Sequence, residues 1–139
     1  MEARGLVKEY TDGPRTVRVL GGIDLSIPAG QTVAIVGASG VGKSTLLHLL
    51  GGLDRPTAGA VRVGGVDLVA QGERELARFR NESIGFVFQF HHLLPDFTAL
   101  ENVMMPCLIG GEGPAGAREK ATAILERVGL GERLTHRPG

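Results

Sequence analysis

Thr32-Val33-Ala34-Ile35-Val36-Gly37-Ala38-Ser39-Gly40-Val41-Gly42-Lys43-Ser44-Thr45 is the stretch on which the fold turns. Its opening run, Thr32 to Val36, is β-branched and apolar throughout, the pattern of a strand buried on both faces of a parallel sheet. From Gly37 the chain follows the rule Gly, four residues, Gly, Lys, then Ser or Thr. Ser44 to Leu50 is then rich in helix formers and stops at Gly51-Gly52, which predicts a helix with a glycine C-cap. A strand, a glycine loop and a helix in that order separate a working phosphate loop from a chance match. Glycines let successive backbone N–H groups curl around phosphate oxygens, and the helix dipole favours negative charge at the same point. Lys43 is expected to reach the outer phosphates as a compact cation, and Ser44 to offer its hydroxyl to Mg²⁺. A lysine on a first helical turn sits poorly against the dipole unless an anion compensates it. The rival dinucleotide fingerprint fails, because the frame starting at Gly40-Val41-Gly42 has Thr45 at its third glycine position.

Upstream, Gly5–Tyr10, Val17–Leu20 and Ile23–Ile27 read as short antiparallel strands, with turns at Asp12-Gly13-Pro14 and Pro28-Ala29-Gly30. Downstream, strands at Ala60–Val63 and Val66–Leu68 flank a Gly64-Gly65 turn, followed by a polar helix near Glu73–Asn81 and a second apolar strand at Ile84–Phe88. Arg74, Arg78 and Arg80 are expected on a solvated face of that helix. Thr98-Ala99-Leu100-Glu101 has capping-box spacing and opens a helix with Leu100, Val103 and Met104 on one side. A last helix starts at Pro114, places Ala117, Ala121, Ile124, Leu125 and Val128 on one face, and closes at Gly129.

Composition narrows the function classes. Lys+Arg 15 against Asp+Glu 15 gives no global field to draw the chain to nucleic acid, so no nucleic-acid partner is expected. With 4% aromatics and no Trp among the 139 residues, aliphatic side chains must fill the core. A single cysteine, Cys107, suits a reducing compartment. Glycines interrupt the long uncharged stretch between Asp24 and Lys43, so no membrane span is expected. Adjacent His91 and His92 point apart on an extended chain, which argues against a metal site.

Added to the phosphate loop, two further segments carry a family likeness over the full chain: Gly85-Phe86-Val87-Phe88-Gln89, and Phe90-His91-His92-Leu93-Leu94-Pro95-Asp96-Phe97-Thr98 running on to Pro106. The chain resembles the nucleotide-binding subunit of ABC transporters, and the second segment is similar to the lipoprotein-releasing (LolD-like) branch, whose relatives include macrolide exporters and a cell-division ATPase. The resemblance implies an α/β P-loop NTPase fold of the ABC ATPase type. It divides the chain into an N-terminal antiparallel β subdomain over 1–30, a P-loop core over 31–89 and the start of a helical subdomain over 90–139. It further implies ATP and Mg²⁺ as ligands. Gly37, Ala38, Ser39, Gly40, Val41, Gly42, Lys43, Ser44 and Thr45 would hold phosphate, Tyr10 would stack on adenine, and Ser44 and Gln89 would hold Mg²⁺. Lys43 and Gln89 would act in hydrolysis, Gln89 through the attacking water.

As partners the likeness implies transmembrane permease subunits, docked through the region from Phe90 to Pro106, and a second ATPase subunit in a homodimer. The implied location is peripheral, on the cytoplasmic face of a bacterial inner membrane. The family continues with a Leu-Ser-Gly-Gly-Gln-type signature, an apolar strand ending in Asp-Glu, and a switch histidine, none of which follows Gln89 here. His136 precedes the signature position and is not the switch residue. The expectation is therefore a truncated domain with negligible hydrolysis of its own, whose run Val33–Val36 lacks neighbouring strands.

Overall fold

Ala3 and Leu6 face inward from the first strand, β1 (Glu2–Asp12), and one of the protein's two cores forms around them. β1 turns at Gly13-Pro14 into β2 (Arg15–Ser26), pairing antiparallel from Asp12↔Arg15 back to Glu2↔Ser26. Two strands were expected where β2 runs unbroken. The Gly21-Gly22 pair that reads as a break is absorbed instead by shifts of register between Ala3 and Lys8 of the partner strand. β3 (Ala58–Val63) pairs with the other edge of β1, and β4 (Val66–Asp67) closes the sheet in the order β2-β1-β3-β4. Where β3 crosses the irregular part of β1, a Cβ on Gly59 would lie 2.5 Å from the Gly5 carbonyl oxygen. Only glycine allows that approach.

Helix α1 (Lys43–Leu50) lays Leu46, Leu49 and Leu50 on this sheet, and α2 (Glu73–Ser83) adds Leu76 and Phe79. The core is otherwise aliphatic: Leu20, Val61 and Leu68 complete it. Each fully buried member, such as Leu6 or Leu49, contributes about 1.5–3 kcal/mol. Arg80 of α2 is not a solvated charge, since its guanidinium donates to the Gly52 carbonyl at 2.9 Å.

The structure describes all residues, Met1–Gly139, as a computed structural model, and they form two compact units, Met1–Arg80 and Asn81–Gly139. In the second unit α3 (Ala99–Ile109) packs on α4 (Pro114–Arg127), followed by a short 3-10 turn at Gly131–Arg133. Leu100 and Met104 meet Ala117, Ala121 and Leu125, two alanines letting the helix backbones come close. Ile124 and Val128, expected on the same buried face, are exposed. One neighbouring helix covers only the stripe at Ala117, Ala121 and Leu125, and the residues one step round the helix lie outside it. No helix is long and apolar enough to cross a membrane.

Two expected strands do not form. Thr32–Val36 and Ile84–Phe88 join no sheet and make no backbone hydrogen bond. Val36 is 86% exposed and Val87 fully so. An apolar run becomes a buried strand only when other strands flank it, and the four-stranded sheet flanks neither run.

Candidate phosphate-binding site

The loop after Val36 enters α1 through Gly42, whose backbone adopts φ 101° and ψ 9°. That conformation disfavours a side chain, and the space does too: a Cβ there would lie 3.0 Å from Val19 Cγ1 and 3.2 Å from the Val19 carbonyl oxygen. β2 thus sets where the loop turns into the helix. Gly40 also has a positive φ, 79°. The Lys43 ammonium folds back over the loop and donates to the carbonyls of Gly37 at 2.9 Å and Ala38 at 2.7 Å. Val41 N–H donates to Ala38 O at 3.4 Å, the loop's own cross-link.

At its N-terminus α1 carries no side-chain cap and no acidic residue in its first turn. The first amides of a helix have no partner within the helix, so these point at whatever the loop encloses. Ser39 and Ser44 are exposed, Lys43 and Thr45 half-buried. The donor set is backbone amides, one ammonium and hydroxyls, with no carboxylate, which suits a polyphosphate. A single hydroxyl, Ser44, also suits Mg²⁺, which takes most of its oxygens from phosphate and water.

Tyr10, near the end of β1, belongs to the same unit as this helix. Its phenol donates to Asp54 Oδ2 at 2.8 Å. Lys8, two residues earlier and on the same strand face, donates to Asp54 Oδ1 and to the Arg55 carbonyl, both at 2.7 Å. The Lys8 ammonium lies 4.7 Å from the centroid of the Tyr10 ring. Partial burial and the neighbouring carboxylate push the Tyr10 phenol above its ordinary range. Burial acts to raise the Asp54 carboxyl as well, but the bonds from Lys8, Tyr10 and the Arg55 amide together hold it low. Sequence reading missed Lys8 and Asp54. The only signal was a lysine two places before Tyr10, which is too common to notice.

Gln89 belongs to the second unit, exposed on the bend that follows the extended Phe86–Phe88 stretch and not at the end of a strand. After it, Phe90, Leu93, Leu94 and Phe97 are exposed. Asn102 organises the turn into α3: its amide donates to the carbonyls of Leu94, Phe97 and Thr98 and its Oδ1 accepts from Leu94 N–H at 2.8 Å. Sequence reading missed that asparagine too.

A family model described as ABC transporter matches residues 20–139. The lipoprotein-releasing system ATP-binding protein LolD of Geobacter metallireducens is 59% identical over 139 residues, all of this chain and 62% of its own length. The proteins of the same name from Xanthomonas oryzae pv. oryzae and Pseudomonas fluorescens are 56% and 57% identical over 138 residues, 99% of this chain and 57% and 61% of theirs. This chain therefore spans less than two thirds of the curated relatives it matches. Among solved structures, an ATP-binding cassette described as a dimer in a post-hydrolysis state bound to ADP and Pi superposes with TM-score 0.89 at 35% identity, over 99% of this chain and 61% of that one. A dimeric bacterial ABC transporter cassette gives the same values.

Proposed function

The chain belongs to the ABC transporter family, and from that premise we propose that it is the nucleotide-gripping part of an ATP-binding subunit that couples Mg-ATP binding and hydrolysis to lipoprotein release from a bacterial inner membrane. The observation that carries the reading is the uncapped, acid-free N-terminus of α1 beneath the folded-back Lys43 ammonium. The lipoprotein-releasing task comes from the names of relatives that match the whole chain. The alternatives are the ATPase of a macrolide-export or cell-division system, or a non-hydrolysing nucleotide-binding or docking module.

In this proposal the amides of Gly37 to Thr45 and the Lys43 ammonium hold phosphate oxygens. Ser44 would hold Mg²⁺, which when bound neutralises charge on the phosphates, and the family likeness also assigns a Mg²⁺ role to Gln89, which lies in the other unit. Tyr10 supports the base. Gln89 orients the attacking water. The residues contribute position and fixed charge more than covalent chemistry. Exposed Phe90, Leu93, Leu94 and Phe97 give the stretch up to Pro106 an apolar surface suited to transmembrane permease subunits. A second ATPase subunit completes a homodimer, peripheral on the cytoplasmic face. Hydrolysis by these residues alone is negligible, as no carboxylate stands among the loop's donors to polarise a water.

Calorimetric titration with Mg-ATP tests the reading. Lys43→Ala removes a charged hydrogen bond worth about 1.5–3 kcal/mol, so affinity should fall roughly 10- to 150-fold. Unchanged affinity would rule out the phosphate-loop assignment. A pull-down of the membrane partner that survives Lys43→Ala identifies docking as independent of nucleotide.

A further inference from the structure

Tyr10 is 43% exposed, yet it is held on two sides. One ring face carries the Lys8 ammonium at 4.7 Å, and the phenol donates to Asp54 at 2.8 Å. Asp54 is fixed in its turn by Lys8 at 2.7 Å and by the Arg55 amide at 2.7 Å. The Lys8 side chain is only 11% exposed, so its charge is committed to Asp54 and the Arg55 carbonyl and is not available to solvent. A folded sheet does not need an exposed ring frozen in this way. A flat ligand stacking on a ring does, because an immobile ring is not ordered at the ligand's expense.

We propose that Asp54 is a positioning residue that sets the Tyr10 ring as a platform for the nucleotide base, with Lys8 as the anchor that holds Asp54. The proposal rests on the reading of Tyr10 as the base support. It assigns ligand selection to residues that touch no phosphate: an aromatic heterocycle attached to a polyphosphate gains from the platform, and a bare polyphosphate does not.

The sequence supplies its own probe. Tyr10 is the only tyrosine and there is no Trp, so tyrosine absorbance and emission report this ring alone. Mg-ATP and inorganic tripolyphosphate are titrated against the chain and three variants: Tyr10→Ala, Tyr10→Phe, and the double change Lys8→Met with Asp54→Leu, which replaces the ion pair by apolar packing. Tyr10→Ala should weaken ATP binding by about tenfold or more, the usual loss of a base–aromatic stack. Tyr10→Phe, which keeps the ring and the Lys8–Asp54 pair but loses the tether, should weaken it by about two- to tenfold. The double variant should match it, with its phenol titration moving back toward the ordinary tyrosine range. Tripolyphosphate affinity should stay unchanged in all three.

If Tyr10→Ala weakens ATP binding while Tyr10→Phe does not, the platform stands and the positioning role of Asp54 falls. ATP affinity unaltered in Tyr10→Ala removes both. Equal loss of ATP and tripolyphosphate in Tyr10→Phe makes the cluster a structural brace and overturns the proposal. Should the double variant not fold, Tyr10→Phe decides alone.

Discussion

Helices α1 and α3 begin in opposite ways. The N-terminus of α3 is closed by its own chain: Thr98 Oγ1 accepts from Glu101 N–H at 3.2 Å, and Glu101 Oε2 accepts from Thr98 N–H at 2.8 Å. A negative charge sits in the first turn, where the dipole favours it. The N-terminus of α1 has none of this, and its first-turn charge is a lysine. Both helices leave amides unsatisfied by their own turns. One spends a side chain on them, and the other spends none. A glycine at the N-cap and a cation in the first turn thus weaken α1 as a helix, and on the proposed reading they leave its amides to phosphate.

Three changes sharpen that contrast. The largest effect is expected from Gly42→Ala: the positive φ costs about 1–2 kcal/mol for a side chain, and the contacts with Val19 and Leu20 add to it. Thermal unfolding should shift down and Mg-ATP binding should weaken together. A variant with normal melting and normal affinity would mean that the N-cap glycine is not what keeps α1 open.

Thr98→Ala comes next, at about 1 kcal/mol for a lost cap. Chemical denaturation should detect it, with ATP affinity unaffected. If ATP binding fell as well, the two helix ends would not be independent.

The smallest effect is a dependence on acid. Hydrogen bonds from the Thr98 amide and hydroxyl hold the Glu101 carboxyl below its ordinary range. A carboxyl depressed in the folded state stabilises it at pH values above its unfolded pKa, and that contribution disappears as pH falls through the folded value. Protection of the first-turn α3 amides from hydrogen exchange, corrected for intrinsic rates, should therefore decline on acidification, and Glu101→Gln should remove the dependence. Protection that ignores pH in the unmodified chain would show that the capping carboxylate does not hold the turn.

Much of this could be read from residue order. Capping-box spacing, the proline at the start of α4 and the glycine–lysine–serine loop each express a local rule that spans a few residues, so Thr98, Pro114 and Lys43 sit where those rules put them. The apolar run Val33–Val36 shows where local rules end. Its composition marks it for burial, yet burial belongs to the strands beside it, and in this structure the run stays unpaired, with Val33 and Val36 exposed and only Ile35 packed against the core. Ile124 and Val128 teach the same lesson on a helix, since periodicity states which residues share a face and not how wide a neighbour covers it.

The sequence alone determined the glycine loop that enters α1, the antiparallel start of the chain and the helices, because backbone propensity and short-range hydrogen bonds act between near neighbours. Only the tertiary structure decided that Lys8 and Tyr10 meet Asp54, partners 46 and 44 residues apart, and that Val19 stands against Gly42. Those contacts depend on the strand register that brings β1 and β2 onto α1, and register is fixed by the packing of a whole sheet, not by any one segment.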